Sequence, residues 1–306
     1  MLRLLLACLF SSVLICESRQ HCTPIKADFR SASGSSLPSS FNAVSVSDSF
    51  GLTMDGLELY LKRPKGEIKQ TGRVNSELAE GATINSTFTY LCVSPIFCFL
   101  FCILIVYFSY GRVTFDISAP TLKGVVTAVI NIGGTFSSLH YSPLPLIPLD
   151  LETALDEVDI EILGSDSLHW QTNVFVPSEE DSDPHYGELS SIEPLSDTIS
   201  EFHKYTIDWS AERITWSVDG KLSRTLRKGT LRHHLALPLC SWSLVTEDTK
   251  LKGVLHYPTQ PSRLQLGVWD ASSPVGTSEW AGGPIDWKKS RGTIAAVVRS
   301  VELECP

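Results

Sequence analysis

Positive charge is scarce in this chain. Lys and Arg number 25 against 34 Asp and Glu, a formal net charge of −9, which argues against nucleic acid as a partner. Charged residues of both signs make up only 19% of the sequence. No long heptad pattern runs through it, so a coiled coil or long-helix bundle is not indicated. No glycine-rich phosphate loop is present, which removes the simplest nucleotide-binding motif. No metal-ligand cluster stands out, and the isolated pair His233-His234 reads as a surface loop. No cofactor or metal is therefore expected, and no internal repeat is visible.

What the chain does have is short alternating segments. Phe50 to Leu61, Gly111 to Ile117, Gly124 to Ile132, Glu157 to Leu163, Trp170 to Val176, His203 to Trp209, Arg213 to Val218, Arg263 to Trp269 and Thr293 to Glu302 all read as strands. Gly, Pro and Asp punctuate them. At 306 residues this pattern fits one large all-β sandwich or jelly roll, and a monomer is expected. The start, Met1-Leu2-Arg3 followed by an apolar run from Leu4 to Ile15, has the form of a secretory signal peptide over 1–18. A Ser-rich leader over 19–49 then precedes a catalytic domain over 50–306. Secretion makes the sequon Asn85-Ser86-Thr87 a glycosylation candidate.

The run Asp156-Glu157-Val158-Asp159-Ile160-Glu161-Ile162 carries the chemistry. Glu157, Asp159 and Glu161 fall at i, i+2 and i+4, so a strand points all three to one face and turns Val158, Ile160 and Ile162 to the other. Like charges so crowded push pKa values apart. A pair of carboxyls with split pKa values is what glycoside cleavage uses. The outer two Cα atoms sit about 13 Å apart along a strand. Side chains leaning inward bring the carboxyls toward the roughly 5–5.5 Å of a retaining enzyme. The alternative from spacing alone is an acidic, solvent-facing edge strand.

The acidic run resembles the E-x-D-x-E signature of glycoside hydrolase family 16. Gln171-Thr172-Asn173-Val174-Phe175, Phe202 to Trp209, Ile214 to Gly220, Tyr257-Pro258, Leu266 to Asp270 and Gly276 to Gly283 follow in the order of that family's later blocks. The last block is most similar to the fungal Crh-type chitin–glucan transglycosylases. The resemblance implies a concanavalin-like jelly roll of two antiparallel sheets acting on β-linked cell-wall glucan or chitin by retention. It implies Glu157 as nucleophile, Glu161 as acid/base and Asp159 as their tuning partner. Trp269, Trp280, Thr277, Gln171 and Asn173 become candidate substrate contacts, whereas Trp209 and Trp216 read as core. Ile162 departs from the aromatic usual after the last Glu and leaves substrate preference open. A catalytically silent, lectin-like module is the alternative of another class.

Against the family's pattern three segments look inserted: 91–109, 135–151 and 230–245. They have the character of translated introns. The first, uncharged and almost wholly apolar, also has the length of a membrane-spanning helix, and membrane association is the competing reading. A span there would split the sandwich across a bilayer and leave strand edges without partners. Setting aside the signal and these segments leaves Cys22 and Cys305 as the pair able to bond in an oxidising compartment. The expected location is secreted, at the cell wall.

Overall fold

The computed structural model of the chain describes residues 22–31, 36–45, 48–63, 81–86, 110–133, 156–177, 187–229, 249–251, 253–260, 262–290 and 292–306. Seventeen strands are described: β1 Ile25–Asp28, β2 Phe41–Ala43, β3 Phe50–Thr53, β4 Gly56–Leu61, β5 Thr83–Ser86, β6 Gly111–Ser118, β7 Val125–Gly133, β8 Glu157–Leu163, β9 His169–Phe175, β10 Ser191–Pro194, β11 His203–Trp209, β12 Arg213–Val218, β13 Lys221–Arg227, β14 Lys250–Leu251, β15 Val254–Leu255, β16 Ser262–Asp270 and β17 Ile294–Glu304. The α-helix described is α1, Val275–Trp280. One sheet runs β13-β12-β11-β6-β17-β4-β3, with β1 also on β17; the other runs β10-β9-β8-β7-β16-β5-β2. Every named pairing in both is antiparallel. The fold is the all-β jelly-roll sandwich anticipated from the strand pattern.

Alternation builds the core. Val158, Ile160 and Ile162 of β8 face inward with Val174, Leu264, Leu266 and Val268 from their own sheet. Phe115, Tyr205, Ile207, Trp209, Trp216 and Val298 meet them from the opposite sheet. Trp170, Trp209 and Trp216 are among the largest fully buried side chains. Burying the three β8 aliphatics is worth roughly 5–8 kcal/mol before chain entropy, so β8 is held in register whatever its outer face carries.

Several boundaries differ from the sequence reading. The segment 50–61 is a hairpin, not one strand: Thr53 pairs with Gly56, whose φ of 136° suits glycine alone. The region read as a leader, 19–49, contributes strands to both sheets. β1 pairs with β17, β2 pairs with β5, and Cys22 is disulfide-bonded to Cys305 with Cα atoms 5.5 Å apart. Strands β10 and β13 were not anticipated. β10 is four residues long and β13 reads Lys-Leu-Ser-Arg-Thr-Leu-Arg, too polar to announce itself. Among the described residues no helix is long and apolar enough to cross a membrane.

The signal-peptide segment and the three candidate insertions lie outside the described residues. The flanks of two insertions nevertheless meet. Gly133 N donates to Asp156 O at 2.7 Å, and Thr249 N donates to Arg227 O at 3.1 Å. Removing 135–151 leaves Gly134, Glu152, Thr153, Ala154 and Leu155 between the hydrogen-bonded Gly133 and Asp156, a length natural hairpins use. Removing 230–245 leaves Thr246, Glu247 and Asp248. Removing 91–109 leaves Thr87 to Tyr90 between β5 and Tyr110. We propose that none of the three is needed by the sandwich. A chain lacking all three is expected to give more soluble, folded protein from a secretory host than the full chain, read by yield and near-ultraviolet circular dichroism. A full chain that is both more soluble and more active than the trimmed one would overturn this and favour a native membrane segment.

Candidate active site

The outer face of the β10-to-β2 sheet forms around β8. Residues directly opposite in antiparallel register share a face, so the pairings arrange side chains in rows across the strands. One row is Gly267, Ala128, Glu161, Gln171; the next is Gln265, Ile130, Asp159, Asn173; the third is Arg263, Ile132, Glu157, Phe175. The three carboxylates therefore occupy successive rows on one face, as the spacing predicts. They belong to a central strand flanked by β7 and β9, which disposes of the edge-strand alternative.

Burial sets the electrostatics. Glu157 and Glu161 are half-buried and Asp159 is buried. Among the described residues none of the three forms an ion pair with a cation. Desolvation raises the pKa of Glu157. Desolvation, with added repulsion from Glu157 and Glu161, holds Asp159 well above the usual carboxylate range. Glu161 is pushed up to about 7, first by burial and then by the charge of Glu157. The arrangement thus separates a carboxyl that keeps its proton through weakly acidic pH from one whose pKa is raised less, the kind of division acid and nucleophile require.

The neighbours of β8 fix its position from both sides. Immediately before Glu157, the buried Asp156 accepts hydrogen bonds at Oδ2 from the backbone amides of Thr259, at 2.8 Å, and Gln260, at 2.9 Å. Beneath the central acid, Trp216 Nε1 donates to Asp159 O at 3.2 Å. Arg224, buried in the core, lies over the Trp216 ring at 5.0 Å and donates through Nη1 to Thr172 Oγ1 at 2.8 Å and to Thr172 O at 3.2 Å. Thr172 separates Gln171 from Asn173, so the opposite sheet braces both acid-bearing and amide-bearing strands.

Trp269 and Trp280 are brought together on this face. Their rings stack with centroids 6.0 Å apart and planes 24° from parallel. They pack on Val126, Leu163, Ala271 and Ala281. Trp280 Nε1 donates to Gln171 Oε1 at 2.9 Å, and Gln171 is opposite Glu161. The pair is half-buried and presents apolar ring surface with a polar end beside the Glu161 row. Thr277 lies in α1, one turn before Trp280. Asn173 is opposite Asp159 and has a buried, unbonded Oδ1. Asn85 sits in β5, opposite Gln265, on the same face as the acids. Phe175, Gln265, Arg263 and His169 also belong to this face and escaped the sequence reading. His169 Nδ1 lies 2.9 and 3.0 Å from the two carboxyl oxygens of Asp166. Two-residue alternation back from Trp269 would have found Gln265 and Arg263.

A family model described as "Glycosyl hydrolases family 16" matches residues 105–294. "Crh-like protein 2" of Aspergillus fumigatus is 33% identical over 206 residues, 65% of this chain and 38% of that protein. "Probable glycosidase CRR1" of Saccharomyces cerevisiae is 32% identical over 192 residues, 61% of this chain and 36% of that one. The chain thus spans about two fifths of the length of these curated relatives. Among solved structures, the "Crh5 transglycosylase in complex with NAG" superposes with a TM-score of 0.58 at 23% identity, covering 93% of this chain and 88% of that one. The "Bacillus licheniformis beta-glucanase" does so with a TM-score of 0.55 at 18% identity, covering 94% and 100%. These two likenesses are of fold.

The raised pKa of Glu161 has a measurable consequence for stability. Its folded pKa, about 7, exceeds the ordinary 4.5. The stability that this group contributes is therefore full below about pH 4.5 and is lost as pH rises through 7, where the buried carboxyl must ionise. Glu161→Gln removes that burden. It is expected to stabilise the protein by about 1–3 kcal/mol at pH 8 and hardly at all at pH 4.5. Denaturant unfolding at the two pH values reads the difference. Equal effects at both would mean that Glu161 is not held protonated.

Proposed function

Because the chain belongs to glycosyl hydrolase family 16, we propose that it is a retaining glycosidase or transglycosylase acting on β-linked cell-wall polysaccharide, β-glucan or chitin, outside the cell. The observation that carries this is the row-by-row placement of Glu157, Asp159 and Glu161 on one face of a central strand, with Glu161 pushed up to about 7.

Glu157 is the nucleophile. A carboxylate oxygen attacks the anomeric carbon while Glu161 gives its proton to the departing glycosidic oxygen, and the C–O bond breaks with its electron pair on that oxygen. Glu157 is now an ester and carries no charge. The repulsion that helped to raise Glu161 is gone, so Glu161 settles as a carboxylate suited to take a proton. In the second half it deprotonates the acceptor, whose oxygen attacks the anomeric carbon and releases Glu157. Water as acceptor gives hydrolysis; a sugar hydroxyl gives transfer. Asp159, kept protonated between its two neighbours, adds no third negative charge and can donate a hydrogen bond to the ionised nucleophile. Trp269 and Trp280 hold a sugar ring on the Glu161 side, with Trp280 oriented by Gln171. Asn173 and Thr277 offer polar contacts alongside.

Two variants test the roles. Glu157→Gln is expected to lower turnover of every β-glucan or chitin oligomer by at least about a thousandfold, because no other group forms the glycosyl ester. Wild-type rates in that variant would refute the assignment. Glu161→Ala is expected to slow natural sugars by roughly 10²–10⁴-fold and to spare activated aryl glycosides, whose leaving group needs no proton. Equal losses on both substrates would give Glu161 a structural role. The wild-type pH profile should be bell-shaped, with its alkaline limb set by Glu161.

A further inference from the structure

The sequon Asn85-Ser86-Thr87 raises a question that its position in the fold answers. Asn85 pairs with Gln265 on one side and with Asn42 on the other. Gln265 is opposite Ile130, and Ile130 is opposite Asp159. Asn85 and the central acid are therefore in one row across the sheet, three strands apart. At about 4.8 Å per strand that is roughly 14 Å, some three sugar units along an extended β-linked chain lying across the strands. Asn85 is half-buried. Its Oδ1 is buried with no hydrogen bond. The side chain belongs to the face that carries the acids and is not fully buried there.

We propose that Asn85 carries an N-linked glycan that lies on the substrate face and competes with polysaccharide for it. The attachment requires a lipid diphosphate oligosaccharide. Asn85 Nδ2 attacks the anomeric carbon of the first sugar and loses a proton, and the bond from that carbon to the lipid diphosphate oxygen breaks with the diphosphate as leaving group. Transfer precedes folding, so the strand need not open to admit it. Once β5 is paired, the glycan projects from the same face as Glu157, Asp159 and Glu161. A short substrate occupying only the rows nearest the acids passes beneath it, whereas a long chain must displace it. The modification acts as a length filter at one end of the face. It rests on the reading of the chain as a secreted glycan-active enzyme.

The test compares the full chain from an N-glycosylating eukaryotic host with its Thr87→Ala variant, which loses the sequon and keeps the Asn85 amide. Peptide mass mapping reads occupancy. Occupied parent protein is expected to turn over long β-glucan or chitin several-fold more slowly than Thr87→Ala, with a higher KM, and short oligosaccharides at the same rate. Trimming the parent with an endoglycosidase should reproduce the variant, and this arm serves if Thr87→Ala folds poorly. An unmodified Asn85 in the secreted protein, or occupied protein with the same polymer kinetics before and after trimming, would overturn the proposal. If neither form acts on any glycan, the enzymatic reading fails, and retardation of both forms in gels containing soluble β-glucan still decides whether the glycan competes: equal retardation rejects it, stronger retardation of the trimmed form supports it.

Discussion

Three carboxylates on successive rows of one strand face repel one another and lose hydration together, and the rest of the structure answers that constraint. Keeping Glu161 ionised at neutral pH would work against a pKa of about 7, a burden of roughly 3 kcal/mol relative to an ordinary glutamate. The inward side of the same strand offsets it. Val158, Ile160 and Ile162 are each at most 1% exposed and contribute more than the outer face takes away. Protonation of Asp159 and Glu161 near neutrality relieves most of what remains. The strand is stable because it is allowed to be partly neutral, and partial neutrality is the state from which an acid can act.

Position matters as much as protonation. β8 is pinned at its start by Asp156 across to Thr259 and Gln260, and under its centre by Trp216. Arg224 is the less expected member of this bracing. A guanidinium inside a sandwich is costly unless its donors are used. Here two bonds go to Thr172 while the planar group lies over Trp216. Thr172 is inward-facing, and its neighbours Gln171 and Asn173 face the acids. A charge on the far sheet therefore stiffens the strand that orients Trp280 through Gln171. The acid pair and the aromatic platform share one support, so displacement of either would be felt by the other.

Much of this was legible in the sequence because period-two alternation was strong where strands are long. The strands 157–163, 203–209 and 213–218 agree with their sequence-derived bounds, and Trp209 and Trp216 are core as their alternation implied. The failures have physical causes. In Phe50 to Leu61 the apolar set changes parity, from 50, 52 and 54 to 57, 59 and 61, at Asp55-Gly56; reading the two runs as one passed over a turn dipeptide. β1 and β2 are three or four residues long, too short for a period to register, and they hid in Ser-rich sequence. β13 gave a weak apolar signal because its inward set includes Arg224. The place of Asn85 was not legible at all: a sequon says which residue is chemically competent and nothing about which face of a sheet it ends on.

The two ends of the sandwich differ in a way that bears on how the chain tolerates its odd segments. At the Glu161 end, backbone approaches are close: a Cβ on Gly164 would come 2.3 Å from Leu122 O. Gly164 N is also bonded to Val125 O, and Gly124 N to Ala281 O. These contacts lock α1 and the Trp269–Trp280 platform to the turn after β8, with no room for added chain. The residues that flank the candidate insertions gather at the opposite end. There Asp156 meets Gly133 and the 259–260 amides, Tyr257 Oη donates to Ser210 O, and Lys228 lies over the Tyr257 ring. For two of the three candidate segments the flanking residues close on each other, Gly133 on Asp156 and Thr249 on Arg227. Loop closure grows only slowly in entropic cost with length, so extra chain at such joints leaves the strand registers intact. Glu161 and the stacked Trp269–Trp280 pair are the parts of the acidic face furthest from those joints. Glu157, one residue from Asp156, is the carboxylate of the three nearest to them.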